Sequence, residues 1–250
     1  MSMIKEAFVK HSPDWLFATT FNLLRSKRTG HKIYKRNDGW MITGDSMALY
    51  SPTSKYVSFG QTEFEQKCLR YFKIEEGDVC VDVGACIGDT TQPMATLTGK
   101  TGMVYAVEPD KLNLKYLKVN LSMFENVFII PKGVWKEKGT VEFSMADAIT
   151  GHSIMPHKDR AAGVKSFEVD TLDNMFKNID IDFAKIDVQG AETEIFAGGF
   201  EFLRKVNKLV VESHYRHTAI MTYPSLMKLL SAYYPNVEYC SENGVCYAWR

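Results

Sequence analysis

The chain has 250 residues, is 45% hydrophobic, and balances 30 Lys and Arg against 30 Asp and Glu for a formal net charge of zero. That size allows one sizeable core, or one core with a small extension. The absence of a basic block or a Lys/Arg stripe argues against DNA as a partner. No apolar run is long enough to span a bilayer, and Met1 to Glu6 contains no apolar signal region. The 5 cysteines include no Cys-x-x-Cys pair, so the chain reads as cytoplasmic with reduced thiols.

Residues 1–60 do not read as part of the sheet that follows. Lys5 to Leu24 has apolar residues at mixed helical spacing, interrupted by Pro13. Lys27 to Asn37 is polar and basic. Ile33-Tyr34 and Trp40-Met41-Ile42-Thr43 flank Asn37-Asp38-Gly39, a hairpin signal. The expectation is a small helical and hairpin extension ahead of a main domain over 61–250. Covering the substrate, forming a homo-oligomer contact and shielding a sheet edge are open alternatives for it.

The main domain opens on a helix near Thr62, where Thr62 and Glu65 match a capping box. Phe64, Cys68, Tyr71 and Phe72 share one face of that helix. Gly77 ends it. Val79 to Val83 is then a buried-type strand interrupted by Asp82. The segment Gly84-Ala85-Cys86-Ile87-Gly88 turns into a helix over Asp89 to Leu97, with Pro93 in its first turns. Met103 to Val107 is a second strand, ending in Glu108-Pro109-Asp110. Leu112, Tyr116, Val119 and Met123 recur at i, i+4, i+7 and i+11, the pattern of an amphipathic helix. Val127 to Ile130 is a third strand.

Between 136 and 170 the pattern loosens. Val141 to Phe143 and Ser166 to Val169 alternate like edge strands, with Gly151-His152-Ser153 in a long polar loop between them. A short helix over Leu172 to Phe176 precedes a fourth strand, Phe183 to Val188. Gln189-Gly190-Ala191-Glu192 turns into a helix stopped by Gly198-Gly199. Leu209 to His214 is a fifth strand. Pro224 sits as the first helical residue of a segment over Ser225 to Tyr234. Val237 to Cys240 and Val245 to Trp249 flank Asn243-Gly244 as a closing hairpin. Strands alternating with helices predict a doubly wound, mostly parallel α/β sheet with an antiparallel edge.

Asp82, Glu108, Asp110, Asp187, Glu212 and His214 all stand at the carboxyl ends of predicted strands, and those ends share one rim. A dinucleotide fingerprint would need glycine at 84, 86 and 89, where Cys86 and Asp89 break it. The spacing Asp82-x-Gly84-x-x-x-Gly88 instead suits a ligand without phosphates that brings amino and carboxylate groups. Glu108 ends the second strand, where a carboxylate grips a ribose diol. Capping the next helix is the alternative for this segment, and Asp110 can supply that cap.

Four blocks carry a resemblance: Asp82 to Thr91, Val107-Glu108-Pro109-Asp110, Lys185-Ile186-Asp187-Val188-Gln189-Gly190-Ala191-Glu192, and Val211-Glu212-Ser213-His214. Together the chain resembles the FkbM-type S-adenosylmethionine-dependent methyltransferases, from about Glu63 to His214. Lys185 to Glu192 is the most specific block. The family usually has Asn where this chain has Cys86, and Glu where it has Gln189.

The resemblance implies a seven-stranded, Rossmann-like class I methyltransferase sheet. It also implies methyl transfer from S-adenosylmethionine to a hydroxyl of a sugar, glycoconjugate or natural-product acceptor. Gly84, Ala85, Cys86 and Gly88 then receive the amino-acid end of the cofactor, and Asp82 meets its ammonium directly or through water. Glu108, followed by Pro109, takes the ribose. Val127, Val134 and Trp135 flank the adenine or, equally, serve the core. His152 and Ser153 reach the methionyl carboxylate or the acceptor, or serve only the loop. An alcohol acceptor needs a base, for which Asp187, Glu212 and His214 are candidates, with Lys185 orienting or neutralising Asp187. Alternatively Asp187, Glu212 and His214 hold a divalent ion such as Mg²⁺, although metal-free base catalysis is favoured. His11, His31, His157 and His217 read as solvated surface.

Two rivals stand beside this reading. One is an RNA methyltransferase of the same fold, using Lys27, Arg28, Lys32, Lys35 and Arg36 with Tyr34 and Trp40 to stack bases. The other is a non-catalytic cofactor-binding protein.

Overall fold

The computed structural model describes residues 13–24, 31–44, 47–54, 61–144, 164–188, 190–213 and 221–250. Its centre is a seven-stranded sheet in the order β12-β13-β11-β10-β4-β5-β6. These strands are β4 (Val79–Val83), β5 (Met103–Val107), β6 (Val127–Ile130), β10 (Ile181–Ile186), β11 (Val206–Glu212), β12 (Asn236–Cys240) and β13 (Val245–Trp249). β6, β5, β4, β10 and β11 pair in parallel, whereas β13 runs antiparallel to both β11 and β12. The closing hairpin therefore inserts its second strand between β11 and its own first strand. A parallel neighbour needs a crossover, but a hairpin partner needs only the tight turn around Gly244.

Period-two alternation decides which helices each strand face meets. Val81, Val83, Ala184, Ile186, Leu209 and Val211 point into the larger core, with Phe176, Ile195, Phe202 and Leu226. Those residues come from α5 (Leu172–Met175) with its following turn, α6 (Glu192–Phe196), α7 (Phe200–Lys205) and α8 (Tyr223–Leu230). Cys80, Val104, Phe183 and Val210 point the other way, onto Phe64, Cys68 and Met94 of α2 (Gln61–Cys68) and α3 (Thr91–Thr98). The continuous apolar character of the central strands reflects burial on both faces.

Several boundaries move from their sequence expectation. β10 and β11 begin earlier than Phe183 and Leu209, because Ile181 already pairs with Val206. The polar Asp182, Asn207 and Lys208 break the apolar run without breaking the backbone ladder. α2 ends at Cys68, so Tyr71 lies beyond it and is 42% exposed.

The largest revision concerns α4 (Lys111–Asn120). Leu112, Val119 and Met123, expected on its inner face, are exposed. The helix instead buries Asn113, Leu114, Tyr116, Leu117 and Asn120. Two asparagines on the inner face are invisible to a rule that follows apolar residues: Asn120 bonds through both side-chain atoms, and Asn113 through its Nδ2 to Glu108.

Ahead of the main sheet, α1 (Asp14–Leu24) packs on a three-stranded antiparallel sheet of β1 (Lys32–Lys35), β2 (Trp40–Gly44) and β3 (Met47–Ser51). Ala18, Phe21, Ile33, Trp40 and Ile42 form its own small core. The Asn37-Asp38-Gly39 hairpin is present, and β3 adds a strand the sequence pattern did not show. Trp40 is buried, with the Lys35 ammonium 4.7 Å over its ring, so it offers no face for stacking a base. His31 is half-buried and lies against Gly44, which corrects the expectation of a solvated side chain.

The expected edge strands appear as β8 (Gly139–Ser144) and β9 (Val164–Asp170). They form a further sheet with β7 (Gly133–Val134) in the order β7-β9-β8. Among the described residues no helix is long and apolar enough to cross a membrane.

Candidate active site

Strand β4 delivers the chain into the loop Gly84 to Gly88. The Gly84 and Ala85 N–H groups both donate to the Val107 carbonyl at the end of β5, at 3.0 and 3.1 Å. The Gly88 N–H closes the turn onto the Ala85 carbonyl at 2.8 Å. Gly84 has φ +82, and a Cβ placed there would lie 2.0 Å from the Asp187 carbonyl oxygen. Only glycine lets the ends of β4 and β10 come this close. Cys86 also takes a positive φ, +50. The backbone N–H groups of Gly84, Ala85 and Cys86 are thus spent within the protein.

Glu108 is 5% exposed and faces this loop. Its Oε2 accepts the Cys86 N–H at 3.0 Å, while its Oε1 accepts the Asp110 N–H at 2.8 Å and the Asn113 side-chain amide at 3.3 Å. Burial pushes its carboxyl up to about 7, against the pull of these three donors. Asp110 performs the other task named for this segment. Its Oδ1 caps α4 by accepting the Leu112 and Asn113 N–H groups, and its Oδ2 pairs with Lys165 at 2.7 Å. The capping role named for this segment thus belongs to Asp110.

On the other side of Gly84 lies a cluster of charges. Asp82 and Lys185 are register partners on β4 and β10, so their side chains share one face of the sheet. The Lys185 ammonium, 3% exposed, stands 3.6 Å from Asp187 Oδ2, 3.8 Å from Asp82 Oδ1 and 4.0 Å from Glu212 Oε1. Burial acts to lower its pKa, but Asp187, Asp82 and Glu212 outweigh burial and hold it well above the ordinary lysine range. Lys185 is therefore a fixed cation and not a base.

Glu212 is committed on its second oxygen to Lys67 of α2 at 2.8 Å. Asp82 is fully buried; its Oδ2 accepts the Thr90 and Thr91 hydroxyls at 2.8 and 2.6 Å. Asp82 thus ties β4 to the start of α3 and balances Lys185.

The structure thus brings Gly84, Cys86, Gly88, Glu108 and Asp187 together at one rim, with Lys185 and Glu212 behind Asp187. Pro109 lies against Gly133. Val134 belongs to the larger core and Trp135 packs on it half-buried. Val127 is corrected: as the first residue of β6, paired with Val104, it lies at the opposite end of the strand from the rim. Ser153, His152, Gln189 and His214 lie outside the described residues. Among the described residues no three His, Cys, Asp or Glu side chains gather as metal ligands, and the cation between Asp187 and Glu212 is the Lys185 ammonium.

Sequence reasoning missed Lys67, Asn113 and Asn120. Lys67 lies 145 residues before its partner Glu212, so no local spacing could reveal the pair. The asparagines were detectable only as polar residues repeating at i and i+7 beside an apolar pattern.

Comparison with known proteins places this geometry in a family. The family model for the methyltransferase FkbM domain matches residues 82–235, more than half of the chain. No curated protein matches it. The crystal structure of methyltransferase FkbM from Methylobacillus flagellatus KT is similar at 17% identity and TM-score 0.54. That match covers 72% of this chain but 45% of the other, so this chain spans less than half its length. Aeropyrum pernix fibrillarin, in complex with natively bound S-adenosyl-L-methionine, matches at 16% identity and TM-score 0.49, covering 91% of this chain and 86% of that one. The precorrin-6y C5,15-methyltransferase of Geobacter metallireducens GS-15 matches at 14% identity and TM-score 0.46, covering 76% and 88%. At 17% identity the likeness to the Methylobacillus flagellatus structure is one of fold.

Proposed function

The chain belongs to the FkbM methyltransferase family, and from that premise we propose that it transfers the methyl group of S-adenosylmethionine to a hydroxyl of a sugar, glycoconjugate or natural-product acceptor. The observation that carries the proposal is the contact of Gly84 with the Asp187 backbone, with Glu108 joined to the same loop through the Cys86 N–H. With the amides of Gly84, Ala85, Cys86 and Gly88 spent within the protein, the loop has few donors left to cradle a phosphate. Glu108, buried and near neutrality, gains from further donors, which a ribose diol supplies.

When bound, the cofactor supplies an electrophilic methyl group on a sulfonium. The protein's part is placement and proton transfer. Asp187 is the proposed base. It leaves the β10 ladder at the loop and its side chain retains 20% exposure, whereas Glu212 is held by Lys67. Lys185 orients Asp187 and keeps the local charge balanced as the acceptor proton arrives. The S-adenosylmethionine-binding methyltransferase domain is assigned to 61–250 and the extension to 1–60.

Asp187→Asn is expected to lower kcat by about 10²-fold or more, with S-adenosylhomocysteine affinity changed little. Calorimetry and transfer of labelled methyl to a panel of hydroxylated acceptors make the test. Binding without transfer to any acceptor favours the non-catalytic rival, and transfer confined to RNA favours the other.

A further inference from the structure

The face that α4 turns to the glycine loop carries Asn113, Leu117 and Asn120, at i, i+4 and i+7 on one side of the helix. Asn113 steadies Glu108, and Leu117 lies directly under Gly88. Asn120 reaches further. Its Nδ2 donates to the Ile87 carbonyl at 2.7 Å and to the Tyr50 carbonyl at 3.0 Å, while its Oδ1 accepts the Tyr50 N–H at 2.7 Å. It thus pairs with both backbone groups of a β3 residue, as a neighbouring strand would, and gives its second donor to the loop.

Gln92, the second residue of α3, repeats the connection. Its Nε2 donates to the Ala48 carbonyl at 3.2 Å and to the Asn120 carbonyl at 2.9 Å. The same small sheet is held to α4 by the Tyr116 hydroxyl, which donates to the Asp38 carbonyl at 3.0 Å, and by the Lys115–Asp38 pair at 2.6 Å.

A side-chain amide at a sheet edge needs no functional explanation by itself. At the other edge, Asn22 of α1 pairs with both backbone groups of Ile33 at 2.7 and 2.9 Å, which covers an open edge. Asn120 also gives a donor to the glycine loop, at the Ile87 carbonyl. Ile87 lies between Cys86, whose N–H is held by Glu108, and Gly88, packed on Leu117. The loop is therefore gripped from the end of β5 on one side and, through Asn120, from the N-terminal sheet on the other.

Resting on the cofactor reading above, we infer that Asn120 is a positioning residue through which the N-terminal sheet becomes part of the cofactor site. Docking of β3 fixes the Asn120 amide, and the amide fixes the loop at Ile87. The extension then acts on cofactor affinity without touching the cofactor.

The test compares wild type, Asn120→Asp and Gln92→Met by calorimetry with S-adenosylhomocysteine, by thermal unfolding, and by amide exchange at residues 86–88. Asn120→Asp keeps the acceptor for Tyr50 and loses both donors; it is expected to weaken binding about five- to tenfold and to speed exchange in the loop. Gln92→Met keeps every Asn120 side-chain bond and loosens only the docking, for an expected loss of about two- to fourfold. A purely structural role would lower the unfolding midpoint and leave the affinity of the folded protein alone, so a folded Asn120→Asp that binds like wild type overturns the inference. If Asn120→Asp does not fold, Gln92→Met decides: faster loop exchange with weaker binding supports the inference, and wild-type exchange and affinity overturn it. Wild type that binds no S-adenosylhomocysteine would instead sink the cofactor reading itself.

Discussion

The two halves of the rim are held together differently. Around the glycine loop the contacts of Glu108 and Asn120 are hydrogen bonds between 2.7 and 3.3 Å, many of them to backbone groups. Around Lys185 three carboxylates gather at 3.6, 3.8 and 4.0 Å, all beyond hydrogen-bond length. The first half is fixed by geometry, and adding one carbon can break it. The second is fixed by charge balance, and its members can shift when a ligand or a proton arrives. The loop half thus suits binding, and the charged half suits the chemical step.

The sharpest way to break this division is at Gly84. Gly84→Val places carbon 2.0 Å from the Asp187 carbonyl oxygen at a φ of +82, and is expected to abolish S-adenosylhomocysteine binding and to lower stability by at least about 2 kcal/mol. Unchanged affinity and melting would remove Gly84 from the site.

Next is Lys185→Met, which strands Asp82 and Asp187 without their cation while Glu212 keeps Lys67. Removing one partner of a buried ionic cluster is expected to cost about 3–5 kcal/mol in chemical unfolding. Where the variant is stable enough to assay, kcat should fall more than cofactor affinity. A fall in affinity with kcat intact would erase the distinction between the halves.

A smaller effect is expected from Glu108→Gln, which should raise the S-adenosylhomocysteine Kd by about tenfold. Its pH profile is the finer test. In the free protein the Glu108 carboxyl sits at about 7 against an ordinary 4.5, because of burial. A raised carboxyl pKa stabilises the folded protein below pH 4.5, and that contribution is lost as pH rises through about 7. Ligand binding runs the other way: donors from a ribose favour the anion, so affinity should climb as pH rises towards about 7 and level off above it. Glu108→Gln should flatten the slope, and an identical slope in the variant would remove the ribose assignment.

Much of the fold was legible in residue order. β4, β5, β6 and the closing hairpin lie within a residue of the spans read from Val79 to Val83, Met103 to Val107, Val127 to Ile130 and Val237 to Trp249. Buried parallel strands announce themselves as apolar runs, and Asn-Gly marks a hairpin. The gathering of Gly84, Glu108 and Asp187 at one rim was legible because all three stand at strand ends. It was not legible where polar residues are buried, because a local pattern cannot report a distant partner.

By itself, then, the sequence determined the alternation of elements, the glycine bend and the line of acids at the rim, since these follow from short-range sterics and hydrophobic period. Tertiary structure alone decided which acid stands at the rim and which is committed inside. It turned α4 so that Leu112, Val119 and Met123 face outward while Asn113 and Asn120 face in. It also sank Lys185 among carboxylates from three strands. The physical reason is common to these cases: the cost of burying an amide or a charge depends on partners supplied from elsewhere in the chain, and only the folded arrangement brings them within reach.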